Sequence, residues 1–108
     1  MNIGQIAKMA QQMQTQMAQA QEELRETTLE ASAGGGAVRI VITGAQEVRS
    51  VEIDPSAIDP EEVEMLQDLV MTAMNEAIGR SKELERERMA GIAGGMGLPG
   101  MPGLPGFG

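Results

Sequence analysis

The sequence predicts an α/β fold of the α+β kind: a long N-terminal helix, a three-stranded antiparallel meander, a long C-terminal helix and a disordered Gly/Pro tail. Three observations predict it. Apolar residues near the N-terminus recur at alternating steps of three and four; residues 27–53 alternate and are interrupted by glycines; and a second, wider helical stripe begins near residue 63.

The first helix is placed from about Gly4 to about Arg25, roughly 33 Å at 1.5 Å per residue. Its apolar seam is Ile3, Ile6, Ala10, Met13, Met17, Ala20 and Leu24, with glutamines filling much of the space between. So narrow a stripe suits packing against another helix, although an ordinary amphipathic helix buried within one chain gives the same pattern. Residues 27–33 then change character, with Leu29, Ala31 and Ala33 alternating against Thr28, Glu30 and Ser32, and form a first strand. Gly34, Gly35 and Gly36 supply the positive φ angles of a tight reversal. The second strand puts Val38, Ile40 and Ile42 on one face, a composition apolar enough to be central. After Gly44-Ala45-Gln46 the third strand, Val48 to Ile53, places Val51 and Ile53 opposite Ser50 and Glu52. Asp54-Pro55 stops it. Asp59-Pro60-Glu61-Glu62 predicts a helix start, with Asp59 as N-cap, Pro60 at the first position and Glu62 closing a capping box. Val63, Leu66, Val70, Ala73, Ala77 and Leu84, widened by Leu69, Met74 and Ile78, form the stripe that covers the meander. Beyond Ile78 the segment 80–89 is charged almost all round and is expected to project toward solvent. From Gly91 the chain becomes GIAGGMGLPGMPGLPGFG, where Pro and Gly oppose both helix and ladder.

A chain of 108 residues holds one domain. With no Cys, no His and Phe107 as the one aromatic residue, its core must be small and carried by aliphatic and methionine side chains. Disulfides are excluded and metal stapling nearly so, which leaves association with another subunit as the route to stability. The N-terminal pattern lacks an apolar leader and no run of about 20 apolar residues occurs, so a soluble, cytoplasmic protein is expected.

The same absences argue against an enzyme: no imidazole or thiol is present, and serines 32, 50, 56 and 81 have no base to activate them. No cofactor or metal is implied. Glu22-Glu23 and Glu61-Glu62 point in different directions on a helix and serve solubility. Gly95, Gly97 and Gly100 spell a G-x-G-x-x-G that lacks the strand and helix a dinucleotide site needs. The formal charge of −8 opposes an ordinary basic nucleic-acid binder. Half of the cations, however, fall within 80–88 as Arg80, Lys82, Arg86 and Arg88. One side of these turns could present positive charge outward. Ion pairs such as Glu76–Arg80 and Glu85–Arg88 on a solvated face account for the same pattern.

The helix KMAQQMQTQM (8–17), the segment GGGAVRIVITGAQEVRSVEIDPS (34–56), the stretch EMLQDLVMTAMNEAIGRSKELERERM (64–89) and the Gly/Met/Pro-rich tail together resemble the YbaB/EbfC family of bacterial nucleoid-associated proteins. The most specific parts are Thr43-Gly44-Ala45, Val51-Glu52-Ile53-Asp54-Pro55 and Glu64 to Val70. The resemblance implies a single dimerising domain over residues 1–90 and a flexible tail over 91–108. It further implies a tweezer-like homodimer whose projecting helical arms embrace double-stranded DNA with weak sequence preference, in nucleoid organisation and gene regulation. Carried over, the contacts would come from Lys8, Gln11, Gln12 and Gln14 on the first helix and from Arg80, Lys82, Arg86 and Arg88 on the last. The competing expectation is a protein–protein adaptor or chaperone-like module gripping partner helices with Met9, Met13 and Met17.

Overall fold

A computed structural model describes residues 2–95. The elements follow in the order α1 (Ile3–Glu26), β1 (Thr28–Ala33), β2 (Val38–Thr43), β3 (Val48–Ile53), a 3-10 turn (Pro55–Ala57) and α2 (Val63–Gly95). The three strands form one antiparallel sheet in the order β1-β2-β3. The predicted α+β fold is thus the observed one.

α1 starts on a capping box that the sequence reading did not identify. The Asn2 side chain accepts the Gln5 N–H at 2.7 Å, and the Gln5 side chain accepts the Asn2 N–H in return. Its end is fixed by Thr27, which leaves the helical region while its N–H still donates to the Glu23 carbonyl. Arg49 reaches from β3 and donates to the Arg25 carbonyl, a cation placed where the helix dipole is negative. Gly34, Gly35 and Gly36 all have positive φ, as the reversal between β1 and β2 demands.

Ala31, Val38, Ile40, Ile42, Ala73 and Ala77 are the buried centre of the core, flanked by Leu29, Leu66, Leu69, Val70, Met74 and Ile78. α2 lies chiefly over β1 and β2. β3 carries a bulge: Ser50 pairs with Val41 and Val48 with Ile42, so Arg49 is the extra residue. The bulge returns Val48 to the face shared with Ile42 and Ile40, where strict alternation would have turned it away. Val48 and Val51 on that face are left exposed, Val51 at 47%.

Two boundaries differ from expectation. α2 begins at Val63, because Asp59 closes a turn instead of capping the helix. Its carboxylate accepts the Glu61 N–H and its carbonyl the Glu62 N–H, both at 2.9 Å. Proline's fixed φ at position 60 fits such a turn as well as it fits a first helical residue. At the other end α2 continues through Gly91 to Gly95, with Ile92 buried, so the predicted change of structure at Gly91 is corrected. Each glycine in a helix interior costs about 1 kcal/mol, and burial of Ile92, worth about 1.5–3 kcal/mol, offsets most of what Gly91, Gly94 and Gly95 cost. The rest of the predicted tail, including Gly97 and Gly100, lies outside the described residues.

Candidate nucleic-acid interface

Beyond the sheet, α1 and the second half of α2 run antiparallel. Leu24 and Leu84 meet at Gly44, Arg88 reaches Glu23, and Ile92 shares a surface hollow with Gln16 and Gln19. The charged segment 80–89 is mostly exposed, as expected, but it does not stand alone: one side of it lies along α1, and the two helices make one arm.

The arm is set on the sheet at Gly44 and Ser81. A Cβ on Gly44 would stand 2.7 Å from Leu24 Cδ2 and 3.1 Å from the Leu24 carbonyl oxygen, so glycine is required by close approach. The Gly44 N–H donates to the carbonyls of Leu24 and Thr27. Ser81 is buried on the stripe shared with Ala73 and Ala77. Its hydroxyl donates to the Thr43 carbonyl at 2.6 Å and accepts from both the N–H and the Nε2 of Gln46, which sits at φ +61°. These bonds join the β2–β3 turn to α2 across 35 to 38 residues of sequence, and they give Ser81 a structural position remote from any nucleophilic one.

The predicted contact residues do not gather in one place. Lys8, Gln11 and Gln12 come together with Thr15 and Gln16 along an open groove of about 470 Å³ on α1. Gln14 is not among the groove's lining residues: a helix turns about 100° per residue, which carries it well round from Gln12. Of the α2 cations, Arg80 donates to the Glu30 carbonyl at 2.6 Å and is held at the sheet; Arg86 pairs with Glu83 one turn earlier; and Arg88 pairs with Glu23 of α1 at 2.6 Å. Neither ion pair matches Glu76–Arg80 or Glu85–Arg88. Lys82 has no ion pair among the described residues. Lys8 lies about 22 Å along α1 from Glu23, so its groove and Arg88 occupy separate stretches of the arm.

The pairs on the arm are exposed and exchangeable, since surface ion pairs contribute about 0–1 kcal/mol each. A phosphate can displace Glu83 or Glu23 at small cost. Elsewhere on the surface, Glu30 bonds Arg39 across the outer face of the sheet and raises the guanidinium pKa. Arg25 in the same way lowers the pKa of Glu22 through a hydrogen bond and its charge. Among the described residues no group of three or more His, Cys, Asp or Glu could hold a metal, and no helix is long and apolar enough to cross a membrane.

The chain is similar to known proteins in sequence and in fold. A nucleoid-associated protein of Moorella thermoacetica is 52% identical over 97 residues, covering 87% of this chain and 93% of that protein. One from Acetivibrio thermocellus is 48% identical over 95 residues, covering 88% and 84%. The crystal structure of an uncharacterized protein from Helicobacter pylori superposes with a TM-score of 0.73 at 25% identity, covering 81% of this chain and 91% of that one. The relatives thus define the class, that of nucleoid-associated proteins. The chain belongs to the YbaB/EbfC DNA-binding family, which it matches over residues 1–96. That match includes the last turn of α2 that composition had assigned to the tail.

Proposed function

We propose that the protein acts in the bacterial cytoplasm as a homodimer that binds duplex DNA through its helical arms, with weak sequence preference, in nucleoid organisation and gene regulation. The observation that carries this reading is the two-helix arm, which sets the polar face of Lys8, Gln11 and Gln12 on a body extended to 69 × 29 × 16 Å. Lys82, unpaired among the described residues, and the exchangeable Arg86 and Arg88 supply phosphate contacts; Arg80 and Gln14 contribute less, being anchored or turned away.

Dimerisation is supported by apolar surface that one chain leaves uncovered. Val48 and Val51 on the inner face of β3 and Val63, Met65 and Met71 on α2 are all exposed. The net charge of −8 per chain repels DNA at long range, so binding depends on the short-range contacts of the arms and is strongly salt-sensitive.

Duplex titration at several salt concentrations tests the reading, comparing wild type with Lys8→Glu/Lys82→Glu and with Arg39→Glu on the outer sheet face. The arm variant should lose affinity and flatten the log–log salt dependence by roughly 0.9 for each phosphate contact removed. Arg39→Glu should bind as wild type does. Equal binding by all three proteins would exclude the arms as the contact surface.

A further inference from the structure

Negative charge is spread unevenly along the arm. All 16 Asp and Glu residues lie between Glu22 and Glu87, so α1 from Ile3 to Gln21, about 27 Å of helix, carries none and has Lys8 as its one charged side chain. The boundary is sharp. Steps of three and four place Lys8, Gln12, Gln16, Gln19, Glu23 and Glu26 along one exposed face, neutral or positive as far as Gln19 and acidic from Glu23. α2 changes at the same level, because Glu87, its last carboxylate, adjoins the Arg88 that bonds Glu23. The two helices therefore share an outer stretch without carboxylates, in a chain of net charge −8.

Screening decides how far down this face a polyanion comes. Gln12 stands about 17 Å and Gln16 about 11 Å along the axis from Glu23, both beyond the Debye length of about 8 Å at physiological salt, whereas Gln19 stands about 6 Å from it. The amides of Gln12 and Gln16 are also free. Gln5 closes the capping box and the Thr15 hydroxyl donates back to the Gln11 carbonyl, but neither of these two side chains bonds another group among the described residues. Both line the open groove with Lys8.

An amide offers what a cation lacks, an acceptor beside a donor. That pair matches adenine in the major groove, where N6–H donates to Oε1 and N7 accepts from Nε2–H. A helix about 10–12 Å across fits a groove about 12 Å wide. Gln12 and Gln16 lie about 6 Å apart along the axis, close to two base steps of about 3.4 Å.

We propose that α1 enters the major groove of duplex DNA by this face, with Gln12 and Gln16 pairing to adenine edges and Lys8 on a flanking phosphate, an inference that rests on the arm being the DNA-contacting element and adds what it reads. Two such contacts select one or two adenines, which is a weak preference.

Titration at several salt concentrations tests it, using an A·T-rich duplex and the same duplex with 7-deazaadenine, in which C–H replaces N7 while Watson–Crick pairing is kept. Wild type should bind the 7-deazaadenine duplex about tenfold more weakly. Gln12→Ala/Gln16→Ala, at two exposed positions where alanine favours the helix, should bind both duplexes alike and at the lower affinity. It should keep the wild-type salt slope, because neutral amides release no counterions. Lys8→Ala should lose about 0.9 of slope and still tell the duplexes apart. Wild type binding the two duplexes equally overturns base reading while leaving DNA contact by the arm in place. A double variant that still discriminates overturns it too, by taking the readout away from these glutamines. No binding of either duplex by wild type at low salt removes DNA contact by the arm itself, and base reading with it.

Discussion

Gly44 shows how one residue ties three elements together. α1 ends on it, the β2–β3 turn begins at it, and Leu84 of α2 lies against it. Gly44→Ala should lower stability by about 1–3 kcal/mol, the usual range for overpacking, because the Leu24 backbone cannot yield as its side chain can. A drop in melting temperature with the fold retained by circular dichroism is the expected result. Asp54 is a second informative position. Its carboxylate accepts the Ser56 N–H and, less strongly, the Ser56 hydroxyl, and both bonds hold its pKa below the usual aspartate value. A depressed folded-state pKa contributes stability that is fully present above the unfolded-state value and is lost as pH falls through the folded one. Carboxyl NMR should therefore find Asp54 titrating below an unfolded aspartate, and Ser56→Ala should move its midpoint only part of the way back, since the backbone bond remains.

At the scale of elements, α2 contains the test of where the folded body stops. Truncation after Ala90 removes the buried Ile92 and should cost about 1.5–3 kcal/mol, the worth of burying one such side chain. Truncation after Gly95 should cost less, and urea denaturation ranks the two. Most element limits were legible in the sequence. Alternation and the glycine run fixed the three strands, and the three-four spacing fixed both helices, because each signal is local. The exceptions have physical causes. The bulge at Arg49 depends on pairing with Val41 and Ile42, and the Arg88–Glu23 bridge spans 65 residues, so neither has a local signal. Burial of Ile92 likewise depends on α1 lying alongside. Two features did have one: Asn2-Ile3-Gly4-Gln5 has capping-box spacing, and Ser81 falls in register with Ala73, Ala77 and Leu84. Of the predicted contact residues, Lys8, Gln11 and Gln12 share one groove. The separation of Arg80, Arg86 and Arg88 among different partners could not be read from their clustering in sequence.

For the whole molecule, the small aliphatic core and the exposed residues of β3 and α2 make the isolated chain marginal, so assembly and folding should be linked. Static light scattering at micromolar concentration is expected to report twice the 11.4 kDa of one chain, and the melting temperature should rise with protein concentration. A stable species of single-chain mass would contradict the dimer. Gly44 also has a mechanical effect at this scale. α1 is about 36 Å long and meets the sheet only at its C-terminal end. It is a lever mounted on a pivot, and a tilt of about 10° at the mount sweeps the far end through roughly 6 Å, close to one helical pitch. Small changes of shape around Gly44, carried by both helices of the arm, would in the proposed dimer set how wide a polyanion the tips span.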